Sequence, residues 1–476
     1  MLLLKSKLGS FVSPTIHVRR SQHCFFSLYH TTPTDLQELC NIISNGIGSL
    51  DDLEASLNGS TVSITSALVT HIMDSCKNGA PNSRRVLRFF LWSQKNPNCK
   101  LGDEEFNHAI QVFAKMKDLT AMDILISDLR KEQRKMESET FSLVAETLVK
   151  LGREDDAVGL FKNLEKFKCW KDSVTVTAIV QALCGKGHAR KAEGVVWHHK
   201  NKIFGVEPCI YRSLLYGWCV HGNVKESRRI LNEMKLARVP PDLFCYNTLL
   251  RCQCKRNLKF NPSALVPEAF NLMMEMRSNG VSPTSISFNI LLSCLGRTRR
   301  VKEACRILDT MNGSGCSPDW VSYYLVMRVM YLTGRFGRGN RLMDEMIEQG
   351  LMPEQKFYYD LIGVLCGVER VNHALGLFKK MKKNSVGGYG PVYDMLIPKL
   401  CRGGEFEKGR ELWDEAMKMG VVLQCSSDVL DPLITEVFKP TKKLEEMSLE
   451  VCKGSTPQTQ VRRTMQKNKK KNASAN

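Results

Sequence analysis

The 476-residue chain lacks any apolar run approaching the roughly 18–20 residues of a membrane-spanning helix, which excludes a helical membrane anchor. It has no GxxxxGK(S/T) loop to cradle nucleotide phosphates, no HExxH pair of metal ligands and no GxSxG nucleophile turn. The HxE…CxxC pattern of zinc deaminases is missing as well. No acid pair or Cys/His arrangement stands out from surface residues by its spacing. Enzymatic chemistry, a cofactor and a small-molecule substrate are therefore left without support. The 18 cysteines lack metal-site spacing: Cys252 and Cys254 have no second knuckle, and His198 and His199 adjoin no cysteine or acid pattern.

Acid is absent from both ends. Residues 1–34 carry Lys5, Lys7, Arg19 and Arg20, are rich in Ser and Thr, and read as an organellar presequence, the alternative being an ordinary disordered tail. Residues 453–476 carry Lys453, Arg462, Arg463, Lys467, Lys469, Lys470 and Lys471. Residues 467–471 suit a nonspecific RNA-contacting tail, or a nuclear signal if the N-terminal segment does not act first. These ends hold eleven of the +19 net charges, so the body between them is only mildly basic. That balance fits an anionic partner without identifying one.

A 35-residue period runs through the body. Windows start at Asp103, Ser138, Ser173, Pro208, Leu243, Ser285, Trp320, Gln355 and Gly390, and only the step from Leu243 is longer, at 42. The fourth residue is Phe106, Phe141, Val176, Tyr211, Tyr246, Phe288, Tyr323, Tyr358 and Tyr393: eight aromatics in nine, in a chain that is 8% aromatic. The twentieth is small in every window but the first, where it is Met122, and apolar residues follow it three and four places on, as in Leu377 with Phe378. Spacing of i, i+3, i+4 marks a helical face, and the small residue lets two helices approach. Tyr246, Leu249 and Leu250 give the first half of the window the same stripe. Glycine at the fifteenth place (Gly152, Gly187, Gly222, Gly334, Gly404) closes the first helix. Proline near the end (Pro241, Pro283, Pro318, Pro353) stops the second.

Each window is thus helix, turn, helix, loop. One hairpin cannot bury its apolar face alone, so the windows must stack. The expected fold is all-α: a right-handed α-solenoid superhelix of stacked helical hairpins. Nine repeats are expected at 103–137, 138–172, 173–207, 208–242, 243–284, 285–319, 320–354, 355–389 and 390–424. Residues 35–102 read as an N-terminal helical cap with a degenerate repeat, 425–450 as capping helices and 451–476 as a disordered basic tail. The seven extra residues near 257–263 read as an extended turn. Cys184, Cys219, Cys254, Cys366 and Cys401 share the twelfth place, where a buried thiol serves as a small apolar filler.

The residue after the aromatic column starts an exposed edge of each first helix: Asn107, Ser142, Thr177, Arg212, Asn247, Asn289, Tyr324, Tyr359 and Asp394. Packing favours apolar residues there, and plain exposure tolerates Lys and Glu, yet neither Lys nor Glu appears and six of the nine are short or amide polar side chains. The last residue of each window is mostly acidic, as in Glu137, Asp172, Glu207 and Asp319, with Thr284 among the exceptions. An acid at that place also caps the next helix. Basic residues at the thirteenth place (Lys115, Lys150, Lys255, Arg297, Arg402) suit phosphate contacts or solvated surface.

The period, the Tyr-Asn-x-Leu-Leu of residues 246–250, the Phe-Asn-Ile-Leu-Leu of 288–292, the Ala-led second helix and the Pro-Asp ending resemble pentatricopeptide repeat proteins of the purely repeat-built type. RVLRFFLWSQKNP at 85–97 resembles the N-terminal region of plant members. The resemblance covers roughly residues 68–424. A tetratricopeptide scaffold has a 34-residue period and favours glycine at the eighth place, where this chain has apolar residues or alanine.

The resemblance implies one base read per repeat by the fifth and last residues. Asn289 with Asp319 implies uracil. Ser142 with Asp172 and Thr177 with Glu207 lean toward guanine, and Asn247 with Thr284 and Asn107 with Glu137 toward a pyrimidine. Arg212, Tyr324, Tyr359 and Asp394 give no base. The implied function is sequence-selective binding of single-stranded organellar RNA, alongside other RNA-processing proteins and without catalysis, cofactor or metal. The outcome would be transcript stabilisation, processing, splicing or translation, in mitochondria or alternatively chloroplasts. The resemblance implies neither an editing deaminase extension nor a nuclease-like domain. A protein–protein interaction scaffold stands as the other function class.

Overall fold

A computed structural model describes residues 33–44, 48–75, 83–97, 99–199 and 207–435. The expected presequence lies almost wholly outside these residues, as do the basic tail and residues 436–450. Among the described residues the regular structure is helical. The chain divides into two compact units, residues 1–217 and 218–476.

In the first unit, α1 (Pro33–Ser44) and α2 (Leu50–Gly59) form a hairpin, followed by α3 (Ser66–Ser75) and α4 (Ser83–Lys95). α1 packs on α3 and α2 on α4, so the N-terminal segment stacks as two hairpins. Arg85, 7% exposed, donates from Nε to the Ile43 carbonyl (3.0 Å) and from Nη2 to the Ile42 carbonyl (3.0 Å), closing the end of α1. Then come α5 (Asp103–Met116), α6 (Leu119–Lys131), α7 (Ser138–Lys150), α8 (Glu154–Lys162), α9 (Ser173–Gly185) and α10 (Ala189–His199). α3, α5, α7 and α9 pack side by side in that order. α11 (Pro208–His221) contains the division between the units.

The second unit continues with α12 (Val224–Leu236), α13 (Leu243–Phe260), α14 (Leu265–Ser278), α15 (Ser285–Thr298), α16 (Val301–Gly313) and α17 (Trp320–Leu332). α18 (Phe336–Glu348), α19 (Gln355–Gly367), α20 (Val371–Lys383), α21 (Gly390–Arg402) and α22 (Phe406–Lys418) complete it. Here α13, α15, α17, α19 and α21 pack side by side, each also against its own second helix. The first helix of every window begins at the window's first residue.

The apolar columns are the core. Phe106, Phe141, Tyr358 and Tyr393 have no exposed surface, and Tyr246 only 1%. Ala157, Ala192, Ser227, Ala304 and Ala374 are fully buried where second helices meet first ones. Glycine is needed there in α18: a Cβ on Gly339 would lie 2.2 Å from the ring of Tyr331. Four of the five twelfth-place cysteines are buried, all are free thiols, and burial pushes the Cys366 thiol up to about 11. On the solvent side, second helices are linked by exposed ion pairs such as Arg153 with Asp123 (2.7 Å), Lys191 with Asp155 (2.6 Å) and Lys380 with Asp344 (2.7 Å). Pairs this exposed contribute little stability.

The turns have a stricter rule than glycine. The fifteenth residue has positive φ in eight windows: the five glycines (φ 75 to 85°), and also Lys117 (61°), Arg299 (55°) and Glu369 (55°). The thirty-first residue does the same, as in Gln133 (53°), Lys168 (50°), Arg238 (58°) and Ser385 (50°). Where a window has both among the described residues, these two left-handed residues reverse the chain after each helix.

One expectation needs correction. The insertion after Leu243 is not an extended turn: α13 runs to Phe260 and absorbs its first part, and a 3-10 turn at Pro262–Ala264 holds the rest. No glycine stands at 257, and Asn257 donates to Glu268 Oε2 (2.8 Å), so the helix continues until Asn261-Pro262 ends it. Of residues 425–450, expected to form capping helices, 425–435 are described and hold a 3-10 turn at Ser427–Leu430.

Candidate nucleic-acid interface

In most windows the fifth residue follows a buried aromatic by one place, about 100° round the helix. It therefore sits at the border of core and solvent. Ser142, Thr177, Asn247, Asn289, Tyr324 and Asp394 are half-buried, Arg212 and Tyr359 exposed. Because first helices pack side by side within each unit, these residues line up in a row, and the last residue of the window lies at the start of the next first helix.

Asn289 and Asp319 meet. Asn289 Nδ2 donates to Asp319 Oδ1 (3.0 Å) and Oδ2 (3.3 Å). Asp319 also caps α17, accepting from the Ser322 backbone N–H (2.8 Å). Burial raises its pKa, but hydrogen bonds from Asn289, Ser322 and Ser285 outweigh that and hold the carboxyl below its ordinary value. The site thus keeps a charged acceptor beside a fixed amide. Asn247 Oδ1 accepts from Ser287 Oγ (2.7 Å), and the partner residue Thr284 has a buried hydroxyl without a hydrogen-bond partner among the described residues.

In the first unit, Thr177 Oγ1 lies 3.8 Å from Cys209 Sγ, which donates to Glu207 Oε2 (3.3 Å), so Thr177 and Glu207 are joined through a thiol. The Ser142 hydroxyl donates to the Ser138 carbonyl (2.6 Å), leaving its lone pairs. Its partner Asp172 caps α9 through the Thr175 N–H (2.8 Å) and is exposed.

Asn107 departs from expectation. It is 1% exposed, its Nδ2 donates to the carbonyls of Asp103 (2.7 Å) and Lys135 (2.8 Å), and its Oδ1 accepts from the Glu137 N–H (2.9 Å). The amide is spent on fixing the entry to the next helix. Partial burial and the acids Glu104, Glu139 and Asp103 push the Glu137 carboxyl up. That acid cluster opposes a polyanion. Asp394 does similar work, accepting from the backbone N–H groups of Gln424 (2.8 Å) and Cys425 (3.0 Å). Tyr324 has turned toward the core, edge-on to Phe357 at 6.0 Å.

Sequence reasoning missed a third column. The second residue of a window lies three places before the fifth, on the same helix face. Val174 is 56% exposed, Phe244 40% and Ile286 55%, and these stand beside Thr177, Asn247 and Asn289. The signal was available as an apolar residue three before a polar edge residue, but only structure distinguishes it from another core position. Of the thirteenth-place cations, all five are exposed. Lys150 is paired with Glu146 (2.7 Å), whereas Lys115, Lys255, Arg297 and Arg402 form no ion pair among the described residues.

Comparison with known proteins places this arrangement. PPR repeat family models match residues 208–255 and 283–331, a pentatricopeptide repeat domain model matches 267–298, and a PPR repeat model matches 358–386. The chain is 58% identical over 450 residues, 94% of its length, to 92% of pentatricopeptide repeat-containing protein At5g61370, mitochondrial, of Arabidopsis thaliana. The chain belongs to the pentatricopeptide repeat family.

This relationship assigns the pentatricopeptide repeat protein to the mitochondrion. A second relative, the small ribosomal subunit protein mL104 (rPPR9) of Arabidopsis thaliana, is 31% identical over 78% of the chain and 70% of its own length. The crystal structure of the pentatricopeptide repeat protein PPR10 from maize shares the fold, with a TM-score of 0.51 and 18% identity over 83% of this chain and 60% of that one. No group of three or more His, Cys, Asp or Glu suited to a metal stands together among the described residues.

Proposed function

We propose that this protein binds single-stranded mitochondrial RNA sequence-selectively and performs no chemistry on it. The observation that carries the reading is the Asn289–Asp319 pair: an amide held 3.0 Å from a charged carboxylate, with Ile286 exposed on the same helix face. An apolar side chain packs on a base plane while the polar group beside it meets the base edge. Asn247 with Phe244 repeats the pairing of amide and exposed apolar residue one window earlier in the same unit, without the carboxylate, and Thr177 with Val174 pairs a hydroxyl with an exposed apolar residue in the first unit. Ser142 with Asp172 offers polar groups without an apolar neighbour. Asn107 and Glu137 take no part in base reading, because the amide is buried and the acids repel phosphate. The footprint is therefore short. Lys115, Lys255, Arg297 and Arg402 supply phosphate contacts.

Selection of bound sequences from a random RNA pool by the full chain tests this. Enrichment of uracil at one place and a pyrimidine immediately beside it supports the reading; recovery of unenriched sequence would defeat it. A second reading follows from the 31% identity to a mitochondrial small-subunit ribosomal protein: the chain holds ribosomal RNA as a component of that particle. Co-sedimentation of the endogenous protein with the small subunit at high salt favours the second reading, and sedimentation apart from it favours the first. Binding to protein partners without RNA, insensitive to nuclease, would instead indicate a scaffold.

A further inference from the structure

Windows whose fifth residue is asparagine share a feature of the next window. The third residue after the boundary is a buried hydroxyl in each case: Thr140 after Asn107, Ser287 after Asn247 and Ser322 after Asn289. Where the fifth residue is Thr177, Arg212, Tyr324 or Tyr359, that place is Ile210, Cys245, Phe357 or Val392, while after Ser142 it is Thr175, a buried hydroxyl that bonds to Asp172. The two serines are fully buried, and both touch the asparagine. Ser287 Oγ lies 2.7 Å from Asn247 Oδ1, and Ser322 Oγ lies 2.7 Å from Asn289 Oδ1. Each also accepts a backbone N–H, from Thr284 and from Asp319, both at 3.3 Å.

Direction follows from that acceptance. A hydroxyl has one hydrogen. Ser287 Oγ receives the backbone N–H and donates to no other acceptor among the described residues, so its own hydrogen goes to the Asn247 amide oxygen, whereas the Ser322 hydrogen is shared between Asn289 Oδ1 and Asp319 Oδ1 (2.9 Å). The oxygen of the amide is then fixed inward, and the NH2 must face outward. In Asn247 this NH2 has no partner within the described residues, while in Asn289 it is additionally held by Asp319. Asn107 is the contrast. Thr140 instead accepts from Gln111 Nε2 (2.9 Å), and the Asn107 NH2 is turned inward to two carbonyls.

We infer that Ser287 and Ser322 are positioning residues that set the polarity of base reading. By fixing Oδ1 of the neighbouring asparagine, they make that window present a hydrogen-bond donor. The window then favours a base edge with a carbonyl oxygen, as in uracil, over one with an amine at the same place, as in cytosine. Ser287 carries this alone for Asn247, whereas Asp319 supports Ser322 at Asn289. The inference rests on the RNA-binding reading above.

The test is position-by-position base preference, by selection from a random RNA pool with the full chain, with melting temperature recorded for each variant. In Ser287→Ala the amide of Asn247 is free to turn over, so uracil-over-cytosine preference at one nucleotide falls about five- to tenfold. Ser287→Thr keeps the hydroxyl and retains the preference. Ser322→Ala, with Asp319 still holding the amide, loses less. Asn247→Asp keeps the acceptor for Ser287 and turns the outward group into an acceptor, so the preference inverts toward the amine-bearing base. This variant serves if Ser287→Ala does not fold. Wild-type preference in Ser287→Ala at unchanged melting temperature would overturn the inference alone, as would Asn247→Asp without inversion. A wild-type chain that selects no sequence overturns the RNA reading and this inference with it.

Discussion

At the residue scale, the same place in the repeat does different work in different windows, and hydrogen-bond partners decide which. Asn107 and Asn289 are one residue type in one column. The first is buried with its amide spent on three backbone groups; the second is half-buried and faces a carboxylate. Replacing Asn289 with Thr is expected to shift preference at one nucleotide from uracil toward guanine, measured by competition between RNAs differing only there; unchanged preference removes Asn289 from the interface. The Asp319 carboxyl is held below its ordinary value. A depressed carboxyl contributes its stabilisation above the unfolded pKa and loses it as pH falls through the folded value. Uracil preference at this window should thus stay constant from pH 8 to pH 5 and decline only in more acidic buffer. A loss near pH 6 would assign the effect to another group. The column itself was legible in the sequence, since a polar residue follows a buried aromatic in most windows. Which members face outward was not, because that depends on hydroxyls and carbonyls some thirty residues away.

At the scale of the element, helices start where the columns start, because a 35-residue period fixes the apolar stripes and the caps together. What the columns concealed is backbone conformation. Glycine at 152, 187, 222, 334 and 404 announced a left-handed residue, but Lys117, Arg299 and Glu369 adopt the same conformation without any signature. The hairpin geometry imposes it, and side chains tolerate a strain of roughly 1 kcal/mol for the sake of the packing that follows. Lys117→Gly, Arg299→Gly and Glu369→Gly should each stabilise their unit by about 0.5–1 kcal/mol, while Gly152→Ala and Gly334→Ala should cost about 1 kcal/mol. Urea denaturation midpoints check both signs; stabilisation by alanine at Gly152 would contradict the turn rule. The thirty-first place escaped notice for the same reason, since Gln133, Lys168, Arg238 and Ser385 are ordinary surface residues. In the insertion at 257–263 the sequence signal of Asn261-Pro262 marks only where the helix ends, because the Asn257–Glu268 hydrogen bond extends the helix before it.

At the scale of the whole molecule, charge is concentrated at the two ends of the sequence, and the repeats supply a sparse set of unpaired cations. Binding of single-stranded RNA through phosphates releases counterions, so the logarithm of affinity falls linearly with the logarithm of salt, with a slope of roughly −0.7 per phosphate neutralised. If each of the four proposed phosphate contacts, Lys115, Lys255, Arg297 and Arg402, neutralises one phosphate, together they set a lower limit on that slope. A protein scaffold has no such dependence, and a catalyst would consume its RNA. The central claim is therefore tested most directly by measuring the affinity of the full chain for its selected RNA across a salt series. The account predicts a slope of about −3 or steeper, reduced by about 0.7 in each single replacement of those four cations by Gln, with the RNA recovered intact. An affinity independent of salt, or a slope unaffected by all four replacements, would contradict it.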